Sequence, residues 1–293
     1  MQELIQKVNV LIESLPYIKK FFGKTFVIKY GGAAQIDEAL KAAFAEDIAL
    51  LNFIGIHIVI VHGGGPKISD MMRRLGKTPE FVHGQRITDK ETMDIVEMVL
   101  AGLINKEIVS LINCHGAKAV GLSGKDGGLI KAKKKLLKHP SPETGSEELI
   151  DIGLVGEVTK VEPGILSCLE KDGFIPVISP VGEGPKGESL NINADFVASS
   201  VSGALKAEKL ILLTDVPGLK DKDGNVISTI HGADIKKLTK EGIISGGMIP
   251  KTQASLKAME EGVKKTHIID GRVPHCLLLE IFTQQGIGTE IVG

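Results

Sequence analysis

The sequence is poor in the features that mark several large classes of protein. Its 293 residues carry 35 Lys and Arg against 36 Asp and Glu, which gives a net charge of −1. Electrostatic binding to nucleic acid or to a membrane surface needs many uncompensated basic residues, so neither partner is expected. No apolar run reaches the roughly 18 residues that a membrane-spanning helix needs.

Cysteine and metal-binding motifs are also scarce. The three cysteines, Cys114, Cys168 and Cys276, lie far apart and form no Cys-x-x-Cys pair. This spacing disfavours both a disulfide framework and a thiolate metal site. None of the eight histidines lies in a His-Glu-x-x-His motif, so no metal site on the protein is predicted. Charged residues interrupt the first 22 positions, unlike a signal peptide, and a cytoplasmic protein is expected.

Glycine is the residue type in excess. The chain has 35 glycines, where average usage of about 7% would give roughly 20. They follow no Gly-X-Y period and form no low-complexity tract, which excludes collagen-like and disordered classes. The glycines must therefore serve specific turns and close approaches of the backbone.

Short apolar segments alternate with helical ones along the chain. Strands are predicted at 25–30, 57–61, 117–122, 175–179, 209–213 and 266–269, and helices at 37–53, from Pro66 onward and over 90–114. This alternation predicts an α/β fold with a mainly parallel central sheet covered by helices on both faces, a three-layer αβα sandwich. The length allows one large domain or two lobes that share a cleft. A Gly and Pro cluster at 181–185 marks the predicted lobe boundary.

Two segments stand outside this alternation. An amphipathic helix is predicted from Leu4 onward, with an interruption or bend at Pro16. Residues 131–151 combine a run of lysines with prolines and glutamates, which predicts a solvated hairpin or loop.

The glycines that follow strands indicate an anion site. Gly31-Gly32, the triplet 63–65 and Ser123-Gly124 each come directly after a predicted strand. In such folds ligands bind beyond the carboxyl ends of the strands, where backbone N–H groups in glycine turns can hold anions. The standard phosphate motifs are absent: the two Gly-Lys-Thr tripeptides lack the leading Gly of a P-loop, and no Gly-x-Gly-x-x-Gly follows a strand.

Three charged residues have both a structural and a functional interpretation. Lys29 interrupts an apolar strand, where a buried ammonium needs a partner anion. Lys251 lies in the first turns of a predicted helix, where a cation opposes the macrodipole unless an anion binds nearby. Asp195 fits the start of another helix, either as its N-cap or as part of a site.

Six segments, in this order, resemble motifs of the amino acid kinase family. They are Ile28-Lys29-Tyr30-Gly31-Gly32, Val61-His62-Gly63-Gly64-Gly65, Gly84-Gln85-Arg86-Ile87-Thr88, Asn191-x-Asn193-Ala194-Asp195, Leu213-Thr214-Asp215-Val216-x-Gly218 and Gly246-Gly247-Met248-x-x-Lys251. The resemblance covers about residues 24 to 293. Within the family the set is most similar to the arginine-sensitive members that phosphorylate N-acetyl-L-glutamate.

The resemblance implies a reaction and a role for each motif. ATP, with Mg²⁺ held mainly by its phosphates, would phosphorylate the side-chain carboxylate of N-acetyl-L-glutamate in arginine biosynthesis. Lys29, Lys251 and Asp195 would be catalytic, and substrate would bind at Gly64, Gly65, Arg86 and Asn191. The nucleotide would lie against Gly31, Gly32, Thr214, Asp215, Gly218, Leu219, Gly247 and Met248.

The resemblance also implies regulation and assembly. His267, Glu280 and Gly286 would form an inhibitory site for L-arginine. Residues 1–23 would be an oligomerisation helix through which dimers interlace into a hexamer, residues 24–181 the acetylglutamate-binding lobe with the dimer interface, and residues 182–293 the nucleotide lobe. Packing of the first helix on its own subunit is the alternative for that segment.

Two other functions stay open from the sequence. One is a related kinase that acts on aspartate, glutamate, carbamate or UMP. The other is a non-catalytic amino-acid sensor, against which the presence of Lys29, Asp195 and Lys251 together argues.

Overall fold

The structure, a computed structural model, describes residues 1–140 and 147–293. Its helices are α1 (Gln2–Phe21), α2 (Glu38–Phe53), α3 (Gly65–Arg74), α4 (Lys90–Glu97), α5 (Asn105–Cys114), α6 (Gly164–Lys171), α7 (Ala194–Ala204), α8 (Gly232–Lys240), α9 (Met248–Glu260) and α10 (Cys276–Phe282). Short 3-10 turns occupy Gly32–Gln35 and Asp126–Gly128.

Strands come between these helices, as the apolar segments predict. They are β1 (Thr25–Tyr30), β2 (His57–His62), β3 (Phe81–Val82), β4 (Gln85–Arg86), β5 (Lys118–Ser123), β6 (Ile130–Pro140), β7 (Glu147–Val161), β8 (Phe174–Ser179), β9 (Val181–Glu183), β10 (Ser189–Asn191), β11 (Lys209–Thr214), β12 (Thr229–His231), β13 (Lys265–Asp270) and β14 (Thr289–Val292). Each predicted strand is therefore present, within a residue or two of its predicted ends.

A mainly parallel sheet forms the centre of the molecule. Among the described residues it has eight strands in the order β12-β14-β13-β11-β1-β2-β8-β5, with one antiparallel pair, β13 and β14. β1 lies between β2 and β11, so strands from the two halves of the sequence share one sheet. The predicted α/β class and parallel sheet are confirmed.

Helices cover both faces of this sheet. Alternate residues of β1 point to opposite faces, because successive side chains of a strand do so. Phe26 and Ile28 join a core cluster with α2, α5 and α10, whereas Val27 joins a second cluster with α7 and α9. The fold therefore has the predicted three layers.

The lysine-rich segment at 131–151 forms most of a long β-hairpin, with residues 141–146 outside the described residues. β6 and β7 pair antiparallel and, with β9 and β10, close a small barrel. The predicted boundary at 181–185 thus contains a barrel strand, β9.

The predicted interruption of α1 at Pro16 is wrong, because the helix continues through that residue. The long helical region predicted over 90–114 is present, and it contains a π-helical stretch, Met98–Ile104, between α4 and α5. No helix in the described part of the chain is both long and apolar enough to cross a membrane.

Candidate active site

Asp195 joins two lysines that come from different elements. Its Oδ1 lies 3.2 Å from Nζ of Lys29 on β1, and its Oδ2 lies 3.0 Å from Nζ of Lys251 on α9. All three side chains are largely buried, with exposed fractions of 11%, 14% and 6% for Lys29, Lys251 and Asp195. The structure thus brings the three predicted catalytic residues together.

Local structure explains why Asp195 is available for this role. Asn193, not Asp195, caps α7, because its side chain accepts a hydrogen bond from the Asp195 N–H at 2.8 Å. The interpretation of Asp195 as an N-cap is therefore wrong. Its carboxylate lies in the first turn of α7 and points to the lysines. Lys29 reaches it because Lys29 lies on the same face of β1 as Val27, the face that α7 covers.

Burial and charge compete at this cluster. Burial raises the pKa of Asp195, but the ammonium groups of Lys29 and Lys251 outweigh it and hold the pKa below its usual range. Burial lowers the pKa of Lys251, and the charge of Lys29 adds to this, while Asp195 opposes both. Two cations share one carboxylate, so the cluster has a local excess of positive charge that an anionic ligand can neutralise.

The glycine pair after β1 lies beside a loop from the other half of the chain. Gly31 caps the short 3-10 turn at Gly32–Gln35, and Asp215 accepts a hydrogen bond from Ala33 N–H at 2.6 Å. Gly32 has φ +72°, and a Cβ on it would lie 2.2 Å from Oδ1 of Asp215. Only glycine fits this close approach, which brings the predicted nucleotide residues Gly32 and Asp215 together.

The other predicted nucleotide residues occupy strand and helix ends. Thr214 ends β11 and accepts from Gly271 N–H at 2.8 Å. Gly247 caps α9, which begins at Met248. Gly218 precedes Leu219, whose N–H donates to Thr289 Oγ1 at 2.9 Å and whose side chain is buried in the second core cluster. Any ligand contact of Leu219 would therefore go through its backbone.

A cavity of about 210 Å³ contains the predicted substrate residues. Gly64 and Gly65 lie at its edge where β2 meets α3, with Arg86 and Asn191 on other walls. A Cβ on Gly64 would lie 2.4 Å from Ile104 Cδ1, so the loop packs directly on the π-helical stretch. Apolar side chains complete the lining, namely those of Ile68, Phe81, Leu100, Val155 and Ile192.

Arg86 is a buried cation of this cavity. Its guanidinium donates from Nη2 to Gly65 O at 3.0 Å and to Ser69 Oγ at 2.8 Å, and it lies 4.7 Å above the Phe81 ring. Within the described part of the chain no carboxylate forms an ion pair with it. Burial lowers the pKa of Arg86, and the charge of Arg73 lowers it further. A ligand carboxylate would complete the site.

Thr88 connects two walls of the cavity. Its hydroxyl donates to the Arg86 carbonyl at 2.9 Å, and the Asn191 amide donates to that hydroxyl at 3.3 Å. Sequence reasoning did not assign Thr88 a role, nor Ser69 or Asn193. The available signal was that Thr88 is a polar residue of the same motif, two positions after Arg86.

A second cavity, of about 550 Å³, contains the three residues predicted for arginine. Glu280 contacts Nδ1 of His267 at 2.8 Å and Nζ of Lys209 at 3.2 Å, and it accepts from Ile287 N–H at 3.0 Å. A Cβ on Gly286 would lie 2.6 Å from Glu280 Oε2. Burial raises the pKa of Glu280, but His267 and Lys209 offset it, so that the pKa is lowered.

Lys209 is a residue of this cavity that sequence reasoning missed. It opens the fully buried strand β11. The rule that drew attention to Lys29, a charge inside an apolar strand, applies equally to Lys209 and could have found it.

Comparison with known proteins assigns the chain to a family. Residues 24–270 match the amino acid kinase family. The chain belongs to that family. Family membership, together with the full-length relatives named acetylglutamate kinase that are described next, supports a kinase, and the predicted enzyme class is confirmed.

Two relatives match over the whole of both chains. Proteins named acetylglutamate kinase from Geotalea uraniireducens and Persephonella marina are 59% and 57% identical to this chain, and each comparison covers 100% of both chains.

Two solved structures share the fold. N-acetylglutamate synthase from Neisseria gonorrhoeae, complexed with coenzyme A and N-acetyl-glutamate, has a TM-score of 0.82 at 26% identity. That match covers 98% of this chain but only 63% of the synthase chain. Carbamate kinase from Giardia lamblia, bound to AMP-PNP, has a TM-score of 0.66 at 17% identity and covers 92% of this chain and 98% of that one. At this identity the likeness shows the fold alone.

Proposed function

We propose that the protein transfers the γ-phosphoryl group of ATP to the side-chain carboxylate of N-acetyl-L-glutamate, which forms an acyl phosphate in arginine biosynthesis. The observation that carries this proposal is the Lys29–Asp195–Lys251 cluster, together with the cavity that contains Arg86, which has no carboxylate partner among the described residues. Relatives that match over their full length and are named acetylglutamate kinase support the choice of acceptor.

The acceptor explains why the site holds cations instead of a base. A side-chain carboxyl with a pKa of about 4.3 is already ionised at neutral pH, so the nucleophile needs no proton removed. An anion must nevertheless approach a polyanion in line. Positive charge fixed beforehand on both sides of the transferring group lowers this barrier, and Lys29 and Lys251 supply it while Asp195 holds them.

The substrate residues then have separate tasks. The guanidinium of Arg86 would bind the α-carboxylate of acetylglutamate through the N–H groups that Gly65 O and Ser69 Oγ leave free, and Asn191 binds beside it. Gly64 and Gly65 line the same cavity, and their backbone N–H groups can bind oxygen atoms without adding net charge. The nucleotide would lie against Gly31, Gly32, Thr214, Asp215, Gly218, Leu219, Gly247 and Met248.

Magnesium would enter with the nucleotide. Among the described residues no group of three or more His, Cys, Asp or Glu side chains is placed to hold a metal ion. Mg²⁺ binds readily through phosphate oxygens and water, so the ATP phosphates would be its main ligands.

Feedback inhibition by L-arginine and a hexameric assembly are part of the proposal. The apolar stripe of α1 is exposed, with exposed fractions from 45% at Leu15 to 71% at Leu11. The last turn of α1 also lines the cavity around Glu280 through Tyr17 and Lys20. A neighbouring subunit that covers the stripe would thus be coupled to that cavity. A solved N-acetylglutamate synthase of similar fold is complexed with L-arginine, at 25% identity and a TM-score of 0.79.

One assay tests the function. ADP release is measured with Mg·ATP and acetylglutamate, aspartate, glutamate, carbamate or UMP as acceptor, with and without arginine. We expect acetylglutamate-dependent release that arginine suppresses. Preference for another acceptor would reassign the substrate, and no release with any acceptor would favour an amino-acid sensor.

A further inference from the structure

The carbonyl of Gly63 is held by two donors below the substrate cavity. Nδ1 of His62 lies 2.9 Å from Gly63 O, and Nε2 of Gln35 donates to the same oxygen at 3.3 Å. Gln35 also donates to the Tyr30 carbonyl, and Gly63 N–H donates to that carbonyl at 2.8 Å. The loop that carries Gly64 is therefore tied to the end of β1 as well as to its own strand.

The neighbours of His62 determine which ring nitrogen carries the proton. Nε2 of His62 faces Nδ2 of Asn105 at 3.3 Å. The orientation of that amide is fixed, because its nitrogen donates to Val177 O at 2.8 Å and its oxygen accepts from Lys106 Nζ at 3.1 Å. An amide nitrogen only donates, so Nε2 accepts and Nδ1 carries the hydrogen that it donates to Gly63 O.

His62 is neutral in this position. Its side chain is fully buried, and burial lowers its pKa to about 4, with a further contribution from the charge of Lys106. A neutral ring with one donor and one acceptor matches its two neighbours. No part of the mechanism above uses this buried, fully paired histidine.

The planar peptide bond links the Gly63 carbonyl, which His62 contacts, to the N–H of Gly64. Gly63 C=O and Gly64 N–H belong to one peptide unit, so a donor that fixes the carbonyl also fixes the direction of the N–H on its opposite side. Gly64 N–H donates no hydrogen bond to any of the described residues, and Gly64 lines the cavity with Arg86. Leu100 and Ile104 pack under Gly64 and limit its movement.

We propose that His62 is a positioning residue for phosphoryl transfer, which aims Gly64 N–H into the substrate cavity by donating from Nδ1 to the Gly63 carbonyl. Asn105 sets the tautomer, and Gln35 is the second donor to the same oxygen. The inference rests on the proposed function, because that function makes Gly64 N–H a substrate contact.

Two substitutions of His62 separate positioning from simple packing. An Asn side chain places its amide nitrogen near the position of Nδ1, whereas a Gln side chain reaches the position of Nε2. His62→Asn keeps the donor to Gly63 and should stay within about threefold of wild type in kcat/KM for acetylglutamate. His62→Gln loses that donor and should fall by about tenfold or more, because small displacements at a reacting centre are costly.

The KM for ATP and a second histidine, His231, provide controls for the two His62 variants. In both variants the KM for ATP should change by less than about twofold. His231→Gln should behave as wild type, because His231, whose Nδ1 lies 3.0 Å from Gly293 O, lines neither cavity. Equal losses in the two His62 variants, or a better enzyme with Gln, which is closer to His in size, would overturn the proposal.

A spectroscopic measurement on the wild-type protein does not depend on the acceptor. In ¹⁵N-histidine NMR, His62 should be the neutral Nδ1–H tautomer throughout the range from about pH 6 to pH 8. An Nε2–H tautomer, or protonation within that range, would overturn the proposal even if both variants fail to fold. A wild-type protein that releases no ADP with acetylglutamate contradicts the proposed function instead, and the NMR result tells the two failures apart.

Discussion

Nζ of Lys251 lies 3.0 Å from Oδ2 of Asp195, although 56 positions separate the two residues in the chain. Lys251 is the fourth residue of α9, where the positive end of the helix dipole disfavours a cation. Lys29 adds a second positive charge to the same carboxylate. The two positive charges thus exceed the single negative charge of Asp195, and phosphate oxygens between the two ammonium groups would neutralise the excess.

The two lysines should be needed for turnover but not for folding. Lys29→Ala and Lys251→Ala should each lower kcat by about 10²–10³, the usual effect of removing a fixed charge stabiliser. Each variant should keep its fold, because Asp195 retains one ammonium partner. Steady-state kinetics and circular dichroism check both statements, with the exposed loop variant Lys186→Ala as a control. Near-wild-type turnover for either variant would contradict the two-lysine scheme.

Arg86 should act on acetylglutamate more than on ATP. Arg86→Lys keeps the charge but loses the planar guanidinium, whose Nη2 donates to Gly65 O and Ser69 Oγ while its other N–H groups stay available to a substrate carboxylate. We expect the KM for acetylglutamate to rise by about tenfold and the KM for ATP to change by less than about twofold. Initial rates with each substrate varied in turn measure this. The reverse order of effects would move Arg86 to the nucleotide side.

Local pattern was sufficient to predict six of the eight strands described in the central sheet, and their glycine loops, but not β12 and β14. Each of the six is a short apolar run, and parallel strands end at the same edge, so the loops that follow β1 and β2 had to approach one another. The chemical anomaly of a lysine in a buried strand also drew attention to Lys29, which the structure places against Asp195. The roles of the site residues were implied only by the family resemblance, and the assays above test them.

Features that depend on tertiary contacts could not be read from the pattern. The π-helical stretch at Met98–Ile104 has the same apolar periodicity as the helices around it, and only its packing under Gly64 sets it apart. Asp195 and Asn193 both suit a helix start. In the structure Asn193 is the cap, and Asp195 instead contacts two lysines that come from distant elements. Pro16 lies within α1, although proline disfavours the interior of a helix.

Asp47 should make stability depend on pH. This carboxylate on α2 is almost fully buried, and burial raises its pKa to about 6, although His275 at 2.7 Å and backbone N–H groups of α10 oppose the shift. A pKa that is higher in the folded state than its ordinary value of 3.8 means that folding favours the protonated form. Its contribution to stability is therefore fully present below pH 3.8 and is lost as the pH rises through about 6.

The variant Asp47→Asn cannot ionise and isolates this contribution. The free energy of unfolding of the variant minus that of wild type should rise by roughly 2 kcal/mol between about pH 4.5 and pH 7, since one pKa unit corresponds to about 1.4 kcal/mol. Urea denaturation of both proteins at several pH values measures the difference, in which the titration of groups that do not contact Asp47 cancels. A difference that stays flat or falls with pH would mean that Asp47 is not held protonated by its surroundings.

Removal of residues 1–20 should affect assembly and arginine response together. No described part of the subunit covers the exposed apolar stripe of α1, whereas Phe21, at the end of the helix, is buried in the core and would remain. The deletion also removes Tyr17 and Lys20 from the wall of the Glu280 cavity. We therefore expect a smaller oligomer in analytical ultracentrifugation and a weaker inhibition by arginine, with kinase turnover retained.

The point variant Glu280→Gln separates the two effects of that deletion. It leaves α1 in place but removes the charge that pairs with His267 and Lys209 and would bind a guanidinium. The variant should keep the full oligomer. The arginine concentration that gives half-maximal inhibition should rise by about tenfold or more, because a bidentate charge-assisted contact is replaced by a neutral amide. If the deletion leaves arginine inhibition unchanged while Glu280→Gln abolishes it, the cavity acts without α1, and the proposed coupling of assembly to feedback is wrong.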